Sequence, residues 1–307
     1  MYLNIKMTEI LITYCESGNV NEVKHIYNLY KNKIDLHHGN EYIFKYCCTH
    51  GFLDIAQFLF DTDNTINIRS EDDYAFRWSC INGYLDVAKW LIEIGNKMKT
   101  PINIHASDES AFVYSCMFGN FEIIKWLYDL SIILNSPINI HALNESAFID
   151  TCRKGHYVIM EWLYDLGIST NSPIDIRALD DYAFIYACKH QFINIARFLA
   201  SKCDLYILDT DTDRIISYFI IKLRDVVEGK TREQIIDIIG LTISKNEINN
   251  NNNDYCFVCL DTYDVVLECR HKCCFDCFIK WYIVDDNIKQ CVLCMKPVIY
   301  RKCNVLL

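Results

Sequence analysis

The sequence predicts a mainly α-helical chain, in which a solenoid of helical pairs is followed by a small cysteine-rich α+β module. Two observations support this fold class. A segment of about 33 residues recurs six times in the first two hundred residues, and eight cysteine and histidine residues form four closely spaced pairs near the C-terminus. Recurrence at such a period is typical of solenoids, in which each repeat packs only on its neighbours.

Six units share one pattern, with intervals of 33, 32, 36, 36 and 36 residues between them. One cysteine per unit falls in register, and we name these the register cysteines: Cys15, Cys48, Cys80, Cys116, Cys152 and Cys188. A glycine follows three residues later in units one to five, and Gln191 replaces it in unit six. Apolar residues with helical spacing lie on both sides of this position. The pattern predicts a helix, a turn where glycine ends that helix, and a second helix.

Short segments with alternating apolar residues join the units, as in PINIHA from Pro101 and again from Pro137. The alternation predicts a small β-hairpin finger between helical pairs. Helical pairs with a finger at this period resemble the ankyrin repeat over residues 8–205. The Thr-Pro-Leu-His opening of that family is replaced here, for example by SAFV at 110–113, and three units carry about three extra residues before the finger. A different helical-pair solenoid is the alternative.

Aromatic residues recur in the predicted second helices, at Trp90, Trp126 and Trp162, with Phe198 next. One unit cannot bury its apolar face alone, so we expect these residues to form a ladder through a shared core, not a ligand cage. Each fully buried large side chain contributes about 1.5–3 kcal/mol. We expect the register cysteines to pack as small apolar residues. A metal site built from them is less well supported, because residues one repeat apart lie in different layers.

Polar residues are concentrated in the predicted fingers. His105 and His141 hold the same position as Arg69 and Arg177, and we expect all four to face solvent. Acidic residues follow them: Glu71, Asp72, Asp73, Asp108, Glu109, Glu145, Asp180 and Asp181. Local hydrogen bonding in turns accounts for most of these. Aligned on neighbouring fingers, they would also form a negative stripe, which predicts a target with a basic surface.

Two segments after unit six, from Asp209 and from Thr231, have helical periodicity, and Thr231 with Gln234 fits a capping box. We therefore predict a helical cap over 206–245, which would cover the apolar end of the array. Residues 246–254 include a run of asparagines and predict a flexible linker. The cysteine-rich module, residues 255–300, is then a separate domain.

Eight potential metal ligands lie in this module: Cys256, Cys259, Cys269, His271, Cys274, Cys277, Cys291 and Cys294. A Cys-x2-Cys pair lets two thiolates reach one ion, and thiolate and imidazole donors suit tetrahedral zinc. Eight donors therefore predict two structural zinc ions, with no position left for a catalytic water. Disulfides or scattered core thiols are the alternative. Cys273 could replace Cys274 as a ligand, although only Cys274 keeps the x2 spacing to Cys277.

The order and spacing of these ligands resemble the RING finger in its seven-cysteine, one-histidine form. The resemblance implies cross-bracing, with the first and third ligand pairs on one zinc and the second and fourth pairs on the other. RING fingers bind a ubiquitin-conjugating enzyme carrying ubiquitin and promote transfer without a covalent intermediate of their own. By position, the contacts to that enzyme would be Val258, Trp281, Leu293 and Lys296.

Two departures from the family concern activity. Met295 stands where many active members carry a basic residue directly after the last ligand, so Lys296 would have to replace that residue. Val292 stands where the family often has proline. Trp281 packed inside the module, instead of exposed in a groove, is the alternative for that residue.

Composition excludes several classes of protein. The 307-residue chain has a formal net charge of −10 and no cluster of basic residues, which argues against a nucleic-acid partner. No run of about 18 uncharged apolar residues predicts a membrane span, and neither a secretory signal nor a prenylation box is recognisable. Seventeen cysteines without such a signal predict a reducing compartment, the cytoplasm or nucleus.

The combined prediction is a ubiquitin ligase whose ankyrin-like array recruits a protein target. A non-catalytic adaptor or scaffold is the alternative, and the zinc module could dimerise in either case. The composition is similar in style to ankyrin-repeat proteins of giant viruses that infect amoebae, which would place the protein in a host-cell cytoplasm.

Overall fold

The computed structural model describes residues 2–203, 206–212, 214–220, 265–266 and 272–273. These residues form twelve α-helices and four short strands. The chain divides into two compact bodies, Met1–Ala183 and Phe184–Leu307, and each is described by itself. None of the helices in the described part is both long and apolar enough to cross a membrane.

Each predicted unit forms a pair of helices, so the predicted helical-pair solenoid is confirmed. The helices of units one to five are α1 (Tyr2–Glu16), α2 (Val20–Tyr30), α3 (His38–Thr49), α4 (Leu53–Thr62), α5 (Ser70–Ile81), α6 (Leu85–Lys97), α7 (Ala106–Phe118), α8 (Phe121–Ile133), α9 (Ala142–Lys154) and α10 (Tyr157–Ser169). Those of unit six are α11 (Ala178–Lys189) and α12 (Ile193–Lys202). In the first body the first helices of successive units pack on one another, α1 on α3, α3 on α5, α5 on α7 and α7 on α9. Stacking of this kind builds one continuous core from units that could not fold alone.

Glycine ends the first helix of a unit, as predicted. Gly119 follows α7 with φ 81°, a left-handed conformation that residues with a Cβ rarely adopt. The structure adds a second reason for glycine here. A Cβ at Gly119 would lie 2.8 Å from Cε1 of His156, which belongs to the next unit. The missing side chain therefore also allows the next unit to approach.

The extra residues of units three to five lengthen the second helices. Helices α6, α8 and α10 have 13 residues, whereas α4 has 10. After the added turn the chain folds back, so that the N–H of Ser172 donates to the carbonyl of Gly167 at 2.8 Å. A Cβ at Gly167 would lie 2.8 Å from the Ser172 carbonyl oxygen, which explains the small residue at this position. Gly95 and Ser131 are its equivalents in α6 and α8.

Phenylalanines form the ladder at the centre of the first body: Phe44, Phe76, Phe112 and Phe148. Phe184 is the equivalent buried residue of unit six. At most 1% of each residue is exposed. The prediction that tryptophans form this ladder is wrong, because Trp90 and Trp126 are only half-buried. They brace one unit against the preceding one, with ring centroids 6.0 Å from Phe44 and 6.3 Å from Phe76 respectively. The larger indole, with a polar N–H, suits the edge of a core better than its centre.

All six register cysteines are buried free thiols with at most 1% exposure. Burial raises the pKa of Cys80 and of Cys152 above the ordinary value for a thiol. No group of three or more metal-binding side chains occurs within the residues that the structure describes. The register cysteines therefore pack as small apolar residues, as predicted.

In the second body, an antiparallel hairpin of β1 (Tyr206–Thr210) and β2 (Ile215–Ile220) follows α12. The Tyr206 ring stacks on Phe184 with centroids 4.1 Å apart, and the Gln191 side chain accepts the N–H of Ile215 at 2.8 Å. The helical cap predicted over 206–245 is therefore wrong for residues 206–220, which form this hairpin. Because β2 is rich in β-branched and aromatic residues, it favours a strand over a helix. Residues 221–245 of the predicted cap and the linker at 246–254 lie outside the described residues.

Candidate functional site

The loops between units were predicted to be β-hairpin fingers, and this prediction is wrong. No strand occurs in residues 2–203, and so the loop from α6 to α7 contains no paired strands. Ile102 and Ile104 of this loop are both buried. The apolar alternation thus reflects burial of one side of an extended segment, and strand pairing plays no part in it.

Each loop leads into three consecutive residues with positive φ, which we name the left-handed turn. In unit four these are Ser107, Asp108 and Glu109, with φ of 52°, 54° and 62°. Such a conformation costs roughly 1–2 kcal/mol for each residue that is not glycine. Asn or Asp, which tolerate it best, occupy the middle position in units two to six: Asn40, Asp72, Asp108, Asn144 and Asp180. This recurrence was the signal in the sequence for the left-handed turn, and sequence reasoning missed it.

The third residue of each left-handed turn is a buried carboxylate: Glu41, Asp73, Glu109, Glu145 and Asp181. None is more than 7% exposed. Glu109 Oε1 accepts the backbone N–H of Asn139 in the next unit at 3.0 Å. In unit one Thr8 takes this position, and its Oγ1 accepts the N–H of Asp35 at 3.1 Å. The buried acceptor therefore fastens each loop to the unit before it.

A basic residue pairs with each buried carboxylate from four positions earlier in the chain. Arg69 donates hydrogen bonds of 2.9 and 3.0 Å to the two oxygens of Asp73, and Asp73 raises the pKa of that guanidinium. Nδ1 of His141 lies 2.8 Å from Glu145 Oε1, and this hydrogen bond raises the pKa of the imidazole. His105 pairs with Glu109 in the same way, and Arg177 pairs with Asp181. Arg69 is exposed, as expected, although it is paired. His105, His141 and Arg177 are half-buried, so the expectation that they simply face solvent is wrong for these three.

The predicted negative stripe loses half of its members. Asp73, Glu109, Glu145 and Asp181 are buried and paired, which removes them from the surface. Glu71 is exposed but forms an ion pair with Lys45 at 2.5 Å. In units three and four, Asp72 and Asp108 stay exposed, and the structure describes no ion pair for either. The charge on this surface is therefore much weaker than the sequence suggests.

A row of aromatic side chains lies on the first helices of units two to four. We name it the aromatic face: Tyr42, Tyr46, Tyr74, Trp78 and Tyr114. The rings of Tyr74 and Trp78 are 5.8 Å apart, because residues four positions apart share one side of a helix. Trp78 is 37% exposed and Tyr114 is 40% exposed. Exposed Tyr and Trp side chains are enriched in protein interfaces, so this face is the candidate surface for a protein partner.

Sequence reasoning missed the aromatic face because it followed the buried positions of each unit. The available signal was an aromatic residue two positions before the register cysteine in units two, three and four, at Tyr46, Trp78 and Tyr114.

Two cations already lie over the ring of Tyr74. Lys45 is 5.4 Å and Arg77 is 5.9 Å from the centroid of this ring.

The predicted zinc ligands lie outside the described residues: Cys256, Cys259, Cys269, His271, Cys274, Cys277, Cys291 and Cys294. The predicted contacts to a conjugating enzyme lie outside them too: Val258, Trp281, Leu293 and Lys296. Within this region two short strands, β3 (Val265–Val266) and β4 (Lys272–Cys273), pair in antiparallel fashion. Seven thiolates and one imidazole remain a donor set that suits zinc.

Comparison with known families covers both parts of the chain. Residues 76–174 match ankyrin repeats in three copies, and residues 254–294 match the zinc finger of the C3HC4 type, the RING finger. The chain carries ankyrin repeats and a RING finger. No curated protein matches it.

The ankyrin match begins in α5 and ends in the loop after α10, where the units have their longer second helices. The RING match ends at the last predicted ligand, Cys294, and thus includes all eight. RING fingers bind zinc, which supports zinc as the metal of this chain. Ankyrin repeats and a RING finger together indicate a protein-interaction or ubiquitin-ligase-like role.

Proposed function

We propose that the chain is a RING-type ubiquitin ligase whose ankyrin array recruits a protein target. The observation that carries the proposal is the RING match over residues 254–294, within which every ligand position is filled in the order of the family. The ankyrin repeats supply the second part of such an enzyme, a surface that binds another protein. The free thiols of the array fit a reducing compartment, the cytoplasm or nucleus.

The RING finger would act by binding and orientation. Two zinc ions, held by the eight ligands, would cross-link the module and keep its groove rigid when bound. Val258, Trp281 and Leu293 would contact the ubiquitin-conjugating enzyme, and Lys296 would reach toward the ubiquitin that it carries. The module itself would form no bond to ubiquitin, so target lysines would attack the conjugate directly.

The aromatic face would hold the target. Exposed side chains such as Trp78 and Tyr114 offer a large contact area at a small cost in side-chain entropy. Because array and RING finger belong to one chain, a target held on the array experiences a raised effective concentration of the bound conjugate. Recruitment on the array would therefore promote transfer without any contact between target and RING finger.

An autoubiquitination assay of the full chain, against a panel of conjugating enzymes, tests the ligase activity. We expect a ubiquitin ladder, with two zinc ions per chain by native mass spectrometry. Trp281→Ala should abolish the ladder and keep both zinc ions. Phe118→Ala is the control, because it removes an exposed aromatic side chain of the array outside the aromatic face and should leave autoubiquitination intact. An unchanged ladder from the Trp281→Ala variant would rule out the proposed groove.

Met295 favours one alternative, a non-catalytic adaptor or scaffold. If the basic residue after the last ligand is needed to bridge conjugating enzyme and ubiquitin, its absence weakens transfer. Met295→Arg should then raise ligase activity above that of the natural chain. Two bound zinc ions with no ladder, in the natural chain and in the Met295→Arg variant alike, would favour the adaptor.

A further inference from the structure

The contacts that join successive units come in two kinds. We name each buried carboxylate, together with the basic residue four positions before it, a joint. The joints of units two, four and five contain histidine, His37, His105 and His141. Those of units three and six contain arginine, Arg69 and Arg177.

The carboxylate changes with its partner. Every histidine is paired with glutamate, at Glu41, Glu109 and Glu145, and both arginines are paired with aspartate, at Asp73 and Asp181. A short basic side chain thus meets a long acid, and a long basic side chain meets a short one. In both kinds of joint the basic group meets the acidic group at the same place, so the two kinds have a similar shape. They differ in the basic group, because an imidazole can lose its proton near neutral pH and a guanidinium cannot.

Each histidine uses both ring nitrogens to connect its own unit to the next loop. Nδ1 of His141 lies 2.8 Å from Glu145 Oε1, and Nε2 lies 2.7 Å from Oγ of Ser172. Around His105 the partners are Glu109 at 2.9 Å and Oγ of Ser136 at 3.0 Å.

His37 has a more acidic environment than the other two. Glu41 lies 2.9 Å from Nδ1, and Asp63 of the following loop lies 3.2 Å from Nε2, with Thr65 Oγ1 at 3.3 Å. Both ring nitrogens of His37 thus face a carboxylate, whereas the titratable neighbour in contact with His105 is Glu109, and with His141 it is Glu145.

Loss of the imidazolium proton changes this arrangement. A protonated imidazole donates at both nitrogens, whereas the neutral ring donates at one only. The carboxylate of each joint stays buried, and one oxygen each of Glu41 and Glu145 has no hydrogen-bond partner in the part that the structure describes. A buried carboxylate without a counter-charge is costly, so deprotonation of His37 or of His141 weakens its joint.

We propose that the histidine joints of units two and five are pH-sensitive contacts, which hold the next loop more tightly at mildly acidic pH than at alkaline pH. The arginine joint of unit three holds the next loop at both. The array thereby contains adjacent units whose attachment responds differently to one change in pH.

The direction follows from linkage. The hydrogen bond to Glu41 and the charge of Asp63 raise the pKa of His37 against the opposing effect of burial, and Glu145 does the same for His141. A raised pKa in the folded state means that the added stability is fully present below the unfolded value of about 6.5. This added stability is lost as the pH rises through the pKa of the histidine in the folded state.

Amide hydrogen exchange on the full chain, expressed as protection factors, reports each joint separately. The amides of Asn67, Asn139 and Asp175 donate to the carboxylates of histidine joints, and the amide of Asn103 donates to Asp73 of an arginine joint. Between pH 6 and pH 8 we expect the protection factors of Asn67 and Asp175 to fall, by up to about tenfold for each unit by which folding raises the pKa of the histidine. The protection factor of Asn103 should stay constant over the same range of pH.

The chain supplies its own matched variants. Replacing both members of one joint, His141→Arg with Glu145→Asp, should make the protection of Asp175 independent of pH. The reverse exchange, Arg69→His with Asp73→Glu, should make Asn103 respond to pH, with helicity by circular dichroism as the control for folding in both variants. Equal pH responses at Asn103 and Asp175 in the natural chain, or an unchanged response after His141→Arg with Glu145→Asp, would overturn the proposal.

Discussion

The carboxylate of Glu145 accepts the backbone N–H of Asp175 at 3.2 Å across the boundary between units five and six. The same oxygen lies 2.8 Å from Nδ1 of His141. One buried atom thus connects the start of α9 to the loop that follows α10. The stacking of units depends on such polar contacts as well as on the apolar core.

Replacing Glu145 with alanine removes the acceptor of the Asp175 N–H and the partner of His141. We expect a loss of about 1–3 kcal/mol in the free energy of unfolding, because the hydrogen bonds lost include one to a charged group. Urea denaturation followed by far-UV circular dichroism measures this loss. Glu122→Ala is the control, because Glu122 is exposed and its pair with Lys125 should be worth less than about 1 kcal/mol. Equal effects of the two substitutions would contradict a structural role for the joint.

Gly119→Ala should destabilise the array for two reasons, the positive φ at this position and the close approach of His156. The left-handed conformation alone should cost about 1–2 kcal/mol. A double-mutant cycle with His156→Ala separates the two causes, since it removes the ring and keeps the backbone conformation. If His156→Ala rescues none of the loss, the contact with the next unit contributes nothing.

Leu143 and Gly39 hold the first position of the left-handed turn in units five and two, with φ of 54° and 63°. Exchanging leucine for glycine at one position and glycine for alanine at the other should therefore change the free energy of unfolding in opposite directions. Leu143→Gly should stabilise the chain by up to about 1 kcal/mol, less the extra entropy that glycine gives the unfolded state. Gly39→Ala should destabilise it by about 1–2 kcal/mol. Thermal melts of both variants test this, and destabilisation by Leu143→Gly would contradict the strain inferred at that residue.

Metal removal should separate the cysteines into two groups. The described part holds eight buried free thiols, and the proposed zinc ligands include seven more cysteines outside it. A strong chelator should make about seven additional thiols reactive toward a disulfide reagent. The helical circular dichroism signal should barely change, because the array has no metal cluster in its described residues. Loss of most helicity with the metal would show that the array depends on zinc.

Much of this architecture could be predicted from residue types alone. The register cysteines and the turn glycines such as Gly119 recur at one period, and the eight ligands from Cys256 to Cys294 follow a fixed order. Both patterns are local consequences of chemistry. Small residues are required where helices approach closely, glycine where φ is positive, and pairs of soft donors where zinc is bound.

Other features followed from contacts between residues about 30 positions apart. His105, Asp73 and Glu145 look like polar loop residues in the sequence, and they are buried or half-buried because the next loop closes over them. The hairpin at 206–220 has apolar spacing compatible with a helix, and packing of Tyr206 on Phe184 favours the strand.

The sequence by itself determined the repeat, its helical pairs and the ligand order of the RING finger, because each depends on residue type and spacing along one segment. Only the tertiary structure decided which polar residues are surface and which are joints, and which aromatic residues form the core and which the exposed face. The physical reason is burial. Whether Glu145 is solvated or paired, or Trp78 exposed or covered, depends on the neighbouring unit that lies against it.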